Sequence, residues 1–349
     1  MESAIPAHLQ CPRTRHRRVP DDYAPPYPSF VARHSPDVTR VVMAYFGVQY
    51  REDSAAADAA LRDLAVSFTA DGGPGHWDRS RYVDEAGHTN VILAAYWDAP
   101  SRFDTWFAAR GAGWTRELRT GIGTYTEIVR PDVRRYETLF SAPDRCEGIA
   151  VLSAGMSDMV TEHAYWGGAR DRIPASQTDA LQPSDAATHF DRDGARVIVR
   201  PHDQLCLIRS GQDWSDTDAD ERTMYQRDVE PVLRAGMEFL RDEGMAIGCF
   251  ANRYVTVETA EGGATEKSYG MSWWKSLAAL ERWAESHPTH VAIFGAAMKY
   301  LSTMGPAAKL KLYHEVTVAR ADEQCFEYLN CHERTGMLRA SAASVRPSS

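Results

Sequence analysis

The sequence lacks long hydrophobic runs, paired cysteines and any excess of positive charge. None of its 349 residues belong to an apolar stretch of the roughly 20 residues that a membrane-spanning helix needs, and no apolar secretion signal is visible. The six cysteines are scattered without a CxxC pair, which argues against a zinc ribbon and against a disulfide scaffold. The formal net charge of −9 gives no footprint for nucleic acid. We therefore expect a cytoplasmic protein that binds neither membrane nor nucleic acid.

The sequence does contain an internal repeat, marked by aromatic and acidic residues that recur at similar spacing. The matched pairs are Trp97 with Trp274, Trp106 with Trp283, Tyr125 with Tyr313, and Glu127 with Glu315. Each copy has the order strand, helix, strand, strand, helix, strand, which is the ferredoxin-like unit. Two such units can pair their sheets and bury both inner faces. The sequence thus predicts an α+β fold in which duplicated ferredoxin-like (βαββαβ) units form an α+β barrel.

This repeat divides the chain into five predicted parts. They are an N-terminal arm (1–37), a first repeat (38–140), an insertion (141–195), a second repeat (196–330) and a C-terminal tail (331–349). The arm is basic at "CPRTRHRRVP" and is expected to be solvated, and the end of the tail, "SAASVRPSS", is expected to be disordered. Long irregular insertions in compact proteins are often functional, so the insertion is a candidate contributor to a site.

Two histidines, His290 and His314, occur in the second copy only. The positions that match them in the first copy are Gly113 and Thr126. In the predicted strand "KLKLYHEVTV" (309–318), alternation places His314 within an otherwise apolar stripe. A buried imidazole needs a hydrogen-bond partner or a functional role. The pattern alone leaves both a core histidine and a catalytic histidine open.

The segment "SHPTH" places His287 and His290 at a predicted helix start, with Pro288 suited to the first helical position. The spacing is not that of the HExxH zinc motif. A surface histidine pair on an ordinary amphipathic helix and a metal-ligating imidazole therefore both remain possible from the spacing.

Two polar segments are further candidates. In "IRSGQDWSDTDADE" (208–221), Ser210 stands near a strand end, either as a reactive hydroxyl or as part of a turn before a helix cap. The segment is not a GxSxG nucleophile elbow. In "EHAYWGGARDRIPASQTD" (162–179), Arg170 and Arg172 lie among aromatics and glycines. This segment is either a solvated loop or a loop that lends a cation to a pocket.

Taken together, these segments resemble the aldoxime dehydratases, bacterial haem enzymes that convert aldoximes to nitriles. The resemblance is carried, in order, by "YWG" with the following R, R, P and "SQTD", then by "RSGQDW", "SHPTH", "LYHEV" and "CH…TGML", and it covers most of the chain. It implies a lyase, an α+β barrel, a homodimer, haem b that is ferrous in the active form, and a small aldoxime as substrate.

Carried over position by position, the resemblance implies a role for each candidate. His290 matches the axial ligand of the haem iron, and His287 is then a neighbour. His314 matches the distal histidine, Arg172 the distal arginine, and Ser210 the serine that hydrogen-bonds the substrate hydroxyl. The family route binds the oxime nitrogen to ferrous iron. An imidazole at position 314 suits both proton transfers, because its ordinary pKa lies near neutral pH.

Three other readings remain in view. A peroxidase-like haem protein of the dimeric α+β barrel type would use a distal Asp/Arg pair, which the distal His314 and Ser210 disfavour. A non-catalytic haem-binding protein would need His290 but no positioned serine, histidine and arginine. A structural barrel would need no cofactor.

Overall fold

The protein is described by a computed structural model that covers residues 1–52, 55–164, 168–183 and 187–343. Its strands are β1 (Ala32–Arg33), β2 (Val42–Tyr50), β3 (His76–Val83), β4 (Thr89–Trp97), β5 (Gly123–Val129), β6 (Tyr136–Phe140), β7 (Gly155–Met156), β8 (His189–Asp193), β9 (Arg196–Arg200), β10 (Leu205–Asp213), β11 (Cys249–Glu258), β12 (Ala264–Trp274), β13 (Lys311–Ala319) and β14 (Gln324–Leu329). Its α-helices are α1 (Ala55–Ser67), α2 (Pro100–Trp106), α3 (Gly168–Arg172), α4 (Ala219–Met224), α5 (Glu230–Asp242), α6 (Leu277–Ser286), α7 (Pro288–Met304) and α8 (Arg339–Ala343).

Twelve strands form one antiparallel sheet, in the order β6-β13-β10-β12-β11-β3-β4-β2-β5-β14-β9-β8. Strands β1 and β7 pair separately. Strands and helices are both extensive, so the predicted α+β fold class is confirmed. Within the described ranges, no helix is long and apolar enough to cross a bilayer.

Two four-stranded stretches of this sheet have the same internal order. Numbered along the chain within each stretch, β13-β10-β12-β11 and β5-β2-β4-β3 both run 4-1-3-2. The two stretches meet where β11 pairs with β3. Each stretch is also extended by a strand that follows the other stretch in the sequence. Strand β6 follows β5 but pairs with β13, and strand β14 follows β13 but pairs with β5. This exchange ties the two halves together.

Alternation along the strands creates three layers of core. One face of each half contributes to a shared interior that includes Tyr45 and Trp273. On the other face of the first half, α1 and α2 pack against β2 and β4. On the other face of the second half, residues of α5 and α6 pack against β10, β12 and β13. This second outer face is the one on which the candidate site lies.

Matched aromatic residues make matched contacts in the two halves. The rings of Trp97 and Trp106 lie 5.4 Å apart at an interplanar angle of 40°, and those of Trp274 and Trp283 lie 5.6 Å apart at 39°. In both halves the first tryptophan ends a strand and the second lies on the following helix.

The matched glutamates also make matched contacts, each with an aromatic side chain of the other half. Glu127 accepts a hydrogen bond from Trp273 Nε1 at 2.8 Å, and Glu315 accepts one from the Tyr96 hydroxyl at 2.9 Å. Their pKa values shift in opposite directions. Burial raises the pKa of Glu315, whereas the Arg253 guanidinium outweighs burial and holds the pKa of Glu127 below its usual value.

The two terminal segments differ in part from the sequence expectations. The arm is not free in solvent: Ala4, Ile5 and Val19 are buried. In the C-terminal segment, Met337 and Leu338 are buried as well. The expected disorder over 341–349 falls mostly on residues 344–349, which lie outside the described part, as does the "YWG" of the resemblance at 165–167.

Candidate active site

Ser210 and His314 are direct cross-strand neighbours in the second half of the sheet. They occupy paired positions of the antiparallel strands β10 and β13. Paired residues point to the same face, with Cβ atoms about 5 Å apart. Both side chains are partly exposed and face outward, like Ile208 and Val316 one step along each strand, which join the helix-side core. The sheet register thus brings together two predicted catalytic residues that are distant in sequence.

Arg172 reaches the same place from the insertion. Its Nη2 lies 2.9 Å from His314 Nε2, and its Nη1 donates to the Glu162 carbonyl at 2.6 Å. The Arg172 side chain is 2% exposed. The prediction of a loop that lends a cation to a pocket therefore describes this contact better than a solvated loop does. Arg170, in contrast, pairs with Glu281 on α6 and does not contact His314.

Glu137 on β6 completes the group, and the sequence reasoning missed it. Its Oε2 accepts from Arg172 Nε at 2.7 Å, and its Oε1 lies 3.0 Å from His314 Nε2. Burial raises the pKa of Glu137, but the charges and hydrogen bonds of Arg172 and His314 outweigh burial, so the pKa lies below its usual value. The one available sequence signal was a carboxylate within the short strand "YETLF".

This geometry gives His314 Nε2 both a donor and an acceptor as neighbours. When Nε2 is unprotonated it accepts the Arg172 N–H, and when it is protonated it donates to Glu137. The imidazole can therefore gain or lose a proton and keep a partner in either state. Because Nε2 is occupied by this pair, the other ring nitrogen, Nδ1, is the atom left to exchange a proton with a substrate.

The segment that carries Arg172 is held by the N-terminal arm. The carboxylate of Asp171, which is 1% exposed, accepts the backbone N–H groups of Arg18 at 2.9 Å and Val19 at 2.7 Å. The carboxylate of Glu162 accepts the backbone N–H of Ala4 at 2.8 Å. Two buried carboxylates that precede Arg172 in the sequence are thus satisfied by backbone N–H groups of the arm. The polar composition that favoured a solvated arm did not reveal these contacts.

His290 lies in the first turn of α7, which begins at Pro288 as predicted. Its Nδ1 lies 3.0 Å from the carbonyl oxygen of Ala284 on α6, so Nδ1 carries the hydrogen and the lone pair is on Nε2. Burial lowers the pKa of His290 to about 4, which keeps the ring neutral near pH 7. The Trp283 ring packs against it at 4.4 Å. A neutral imidazole whose second nitrogen is tied to a carbonyl is the arrangement of a metal-ligating histidine.

The neighbouring His287 has a different role. It caps α7, since its Nδ1 accepts the Thr289 N–H, and its ring stacks on Phe239 at 4.4 Å. His287 therefore connects the start of α7 to Phe239 of α5.

Helix α7 is apolar but poorly covered. Of its 17 residues only Tyr300 is buried, although most of the others are Val, Ala, Ile, Phe, Gly, Met or Leu. Near its start, Ile293 joins the core cluster that contains Ile208 and Val316. Near its end, Tyr300 joins the cluster that contains Leu312. The 294–298 stretch belongs to neither cluster.

Ser210 and His314 occupy the corresponding interval on the sheet. Along β13, His314 lies between Val316 of the first cluster and Leu312 of the second. Helix α7 therefore spans the interval that the serine and histidine face. His290, near the start of this helix, and the Ser210–His314 pair, on the sheet, thus belong to the two elements that border this interval.

Residues 44–337 match the model of a family described as haem-containing dehydratase. The chain belongs to this family. An aliphatic aldoxime dehydratase of Rhodococcus erythropolis is 44% identical over 348 residues, which cover 97% of this chain and 98% of that protein. A phenylacetaldoxime dehydratase of Bacillus sp. (strain OxB-1) is 31% identical over 332 residues, covering 92% and 94%.

Solved structures agree with this membership. A crystal structure of an aldoxime dehydratase matches this dehydratase with a TM-score of 0.91 and 43% identity, over 97% of this chain and 98% of that one. A crystal structure of an aldoxime dehydratase in complex with butyraldoxime also gives a TM-score of 0.91, with 42% identity over 97% and 96%.

The residues of this dehydratase fit the haem that the family name implies. His290 has a neutral ring whose Nδ1 is bound to a carbonyl, and the apolar side chains of α7, most of which are not fully buried, offer a surface for a porphyrin. Cys206 and Cys249, which lie in the same half of the sheet, are poor candidates for ligation, because burial raises the pKa of both and favours the neutral thiol. His290 is therefore the residue that would hold the iron.

Among the described residues, one other group has the composition of a metal site, namely Asp84, His88 and His332. Its hydrogen bonds argue against that role. Arg51 Nε donates to His88 Nε2 at 3.3 Å, and the Arg334 backbone N–H donates to His332 Nδ1 at 3.2 Å. The hydrogens of both neutral rings then lie on the nitrogens nearest Asp84, whereas a ligating histidine turns its lone pair to the metal. The group is a hydrogen-bonded cluster around a carboxylate.

Proposed function

We propose that this dehydratase converts aldoximes, R–CH=N–OH, to nitriles and water, with haem b held by His290 and ferrous in the active form. The observation that carries the proposal is the Ser210–His314 pair, backed by Arg172 and Glu137, on the face that α7 spans. The aldoxime dehydratases at 44% and 31% identity over nearly the full chain support it.

The net reaction breaks an N–O bond and a C–H bond and forms the third C–N bond. The haem iron, when bound, supplies an electron-rich site for the oxime nitrogen. His314, protonated, donates from Nδ1 to the departing hydroxyl oxygen, which leaves as water. The electron pair of the C–H bond becomes the new C–N bond, and the same neutral Nδ1 takes the carbon proton. His314 thus ends in the protonation state in which it began.

Ser210 holds the oxime hydroxyl for this transfer. It is the direct neighbour of His314 on the sheet, so a hydroxyl bound by Ser210 Oγ lies within reach of the imidazole. Because Ser210 holds the oxime hydroxyl beside His314, the two reacting groups do not have to meet by diffusion. Positioning of this kind contributes strongly to the rate of an enzymatic reaction.

Arg172 and Glu137 hold the imidazole in both of its charge states. The Glu137 carboxylate accepts from His314 Nε2–H in the protonated ring and also in the neutral ring that remains after the proton has left from Nδ1, while Arg172 donates to Glu137 and keeps the carboxylate in place. Burial of both partners excludes water that would otherwise compete for Nε2. This is the role that a buried carboxylate has beside a catalytic histidine in other enzymes.

We also propose that the fold is a duplicated ferredoxin-like unit closed into an α+β barrel. The shared 4-1-3-2 strand order, the matched tryptophan pairs and the shared interior support this. The proposed parts are the arm (1–37), the repeats (38–140 and 196–330), the insertion (141–195) and the tail (331–349). The unpaired cysteines of the described chain fit a cytoplasmic location, and a homodimer is proposed from the resemblance, to be tested by light scattering after gel filtration.

The test is product formation by purified, haem-loaded protein. After anaerobic reduction, gas chromatography should detect the nitrile when butyraldoxime or phenylacetaldoxime is added, and no nitrile with the His314→Ala variant. A haem-loaded, reduced protein that converts neither oxime would refute the proposed function and favour a non-catalytic haem protein.

A further inference from the structure

One row of side chains crosses the sheet beside the proposed acid–base pair. Successive antiparallel pairings align His314 on β13, Ser210 on β10, Gly270 on β12 and Tyr254 on β11. Because directly paired residues share a face, all four positions face the helices of the second half. Ser210 is therefore flanked by an imidazole on one side and by a residue without a side chain on the other.

The space above Gly270 is filled by Met237 of α5. A Cβ atom placed on Gly270 would lie 2.7 Å from Met237 Sδ, which is closer than such atoms approach one another. Met237 is 8% exposed and belongs to the helix-side core. The thioether thus rests directly on the strand next to Ser210.

The residue before Met237 ties α5 to the helix of the proposed haem ligand. A Cβ atom placed on Gly236 would lie 2.6 Å from Cδ1 of Ile293, which stands three residues after His290 on α7. Helix α5 therefore touches α7 at Gly236 and the sheet at Gly270. These two contacts of α5 border one side of the space between His290 and Ser210. Met237 is the α5 side chain that lies at this border.

We propose that Met237, seated on Gly270, limits the size of the aldoxime substituent that this site accepts. The inference rests on the proposed function and names the residue that selects among its substrates. An oxime whose hydroxyl is held by Ser210 directs its substituent along the sheet, and toward β12 it meets Met237. A methionine side chain has three rotatable bonds and adapts to different shapes. It can therefore make room for a flexible aliphatic substituent more easily than for a branched or aromatic one.

The two residues give opposite tests. Met237→Ala removes the limit and should raise kcat/KM for phenylacetaldoxime relative to butyraldoxime by on the order of tenfold, the lower end of what one methylene group contributes to selectivity in an apolar pocket. Gly270→Ala places a methyl group 2.7 Å from the present position of Met237 Sδ, so the thioether must shift away from β12, and the variant should lower the same ratio. Met271→Ala is the matched control, because Met271 follows Gly270 on β12 but faces the opposite, interior core.

Each variant is assayed with both oximes for kcat/KM and, from the shift of the haem absorption band, for Kd. A ratio is insensitive to partial loss of folded protein, so it separates selectivity from stability. Opposite shifts in Met237→Ala and Gly270→Ala, with none in Met271→Ala, support the inference. Unchanged ratios of kcat/KM and of Kd in both variants overturn it, while the wild-type activity on butyraldoxime in the same experiment stands as the separate test of the proposed function.

Discussion

Glu137 Oε1 lies 3.0 Å from Nε2 of His314, and both the carboxylate and its other partner, Arg172, are almost fully buried. This contact gives the proposed general acid a fixed counter-ion that water does not reach. It also defines which ring nitrogen faces the substrate, because Nε2 is held by Glu137 and Arg172. The chemistry at His314 is therefore expected to depend on a carboxylate that contacts no substrate atom.

Glu137→Gln should lower kcat for aldoxime dehydration by roughly 100-fold, at the lower end of what a positioned acid–base group contributes. The amide keeps the shape but removes the charge that stabilises protonated His314. Haem content, measured by pyridine haemochrome, should be unchanged. Glu315→Gln is the control, since Glu315 is equally buried but lies on the opposite face of β13. Equal losses of kcat in both variants would contradict the assignment.

Ser210→Ala should reduce kcat/KM by roughly tenfold, the equivalent of one neutral hydrogen bond to the oxime hydroxyl. Haem binding should persist, because Ser210 lies on the sheet and the proposed ligand lies on α7. Steady-state kinetics measure the effect, and Ser268→Ala on β12 serves as the control, since its hydroxyl bonds Gln212 instead. Loss of haem in Ser210→Ala would reassign the serine to a structural role.

Asp171→Asn should loosen the arm and, through it, Arg172. The carboxylate accepts two backbone N–H groups from Arg18 and Val19, and an amide satisfies them less well. We expect faster tryptic cleavage after the arginines of residues 13–18 together with a lower kcat and unchanged haem content. Asp179→Asn, in the same insertion but paired with Arg135, provides the comparison. Accelerated cleavage with a wild-type kcat would show that the arm does not position Arg172.

Acidification should destabilise the haem-free protein through His290. Its folded-state pKa of about 4 lies below the ordinary value of 6.5, so the unfolded chain binds the proton more readily between these values. The contribution of His290 to stability is thus intact above pH 6.5 and is lost as the pH falls toward 4, by up to about 3 kcal/mol. Urea unfolding of apo-protein at pH 7 and pH 5 measures this. His290→Gln should show a smaller decrease, and an identical decrease in both proteins would contradict the burial of a neutral imidazole.

The sequence predicted the elements of the site better than their contacts. A helix starting at Pro288 and a strand with His314 on an apolar face follow from local pattern, and both are present. The pairing of Ser210 with His314 depends on the order of strands in the sheet, which local pattern does not determine. The aromatic repeat predicted this strand order only indirectly, through the ferredoxin-like units that it indicated.

Other contacts of the candidate site could not be predicted from the types of residue involved. Glu137 lies on β6, outside the aligned segments of the repeat, so the comparison of the copies passed over it. The partner of His290 is the backbone carbonyl of Ala284, which any residue could supply. The arm was expected to be solvated because it is polar, yet its backbone N–H groups are what satisfy Asp171.

In the proposed reaction, His314 performs the proton transfers on an aldoxime bound opposite His290. Stopped-flow absorption of the reduced, haem-loaded protein, mixed anaerobically with butyraldoxime, distinguishes this role of His314 when wild type and His314→Ala are compared. We expect a shift of the Soret band in both proteins, followed by its return in the wild type as nitrile forms and by persistence of the shifted band in His314→Ala. A band that returns at the wild-type rate in His314→Ala, with nitrile produced, would show that His314 is not the acid–base group.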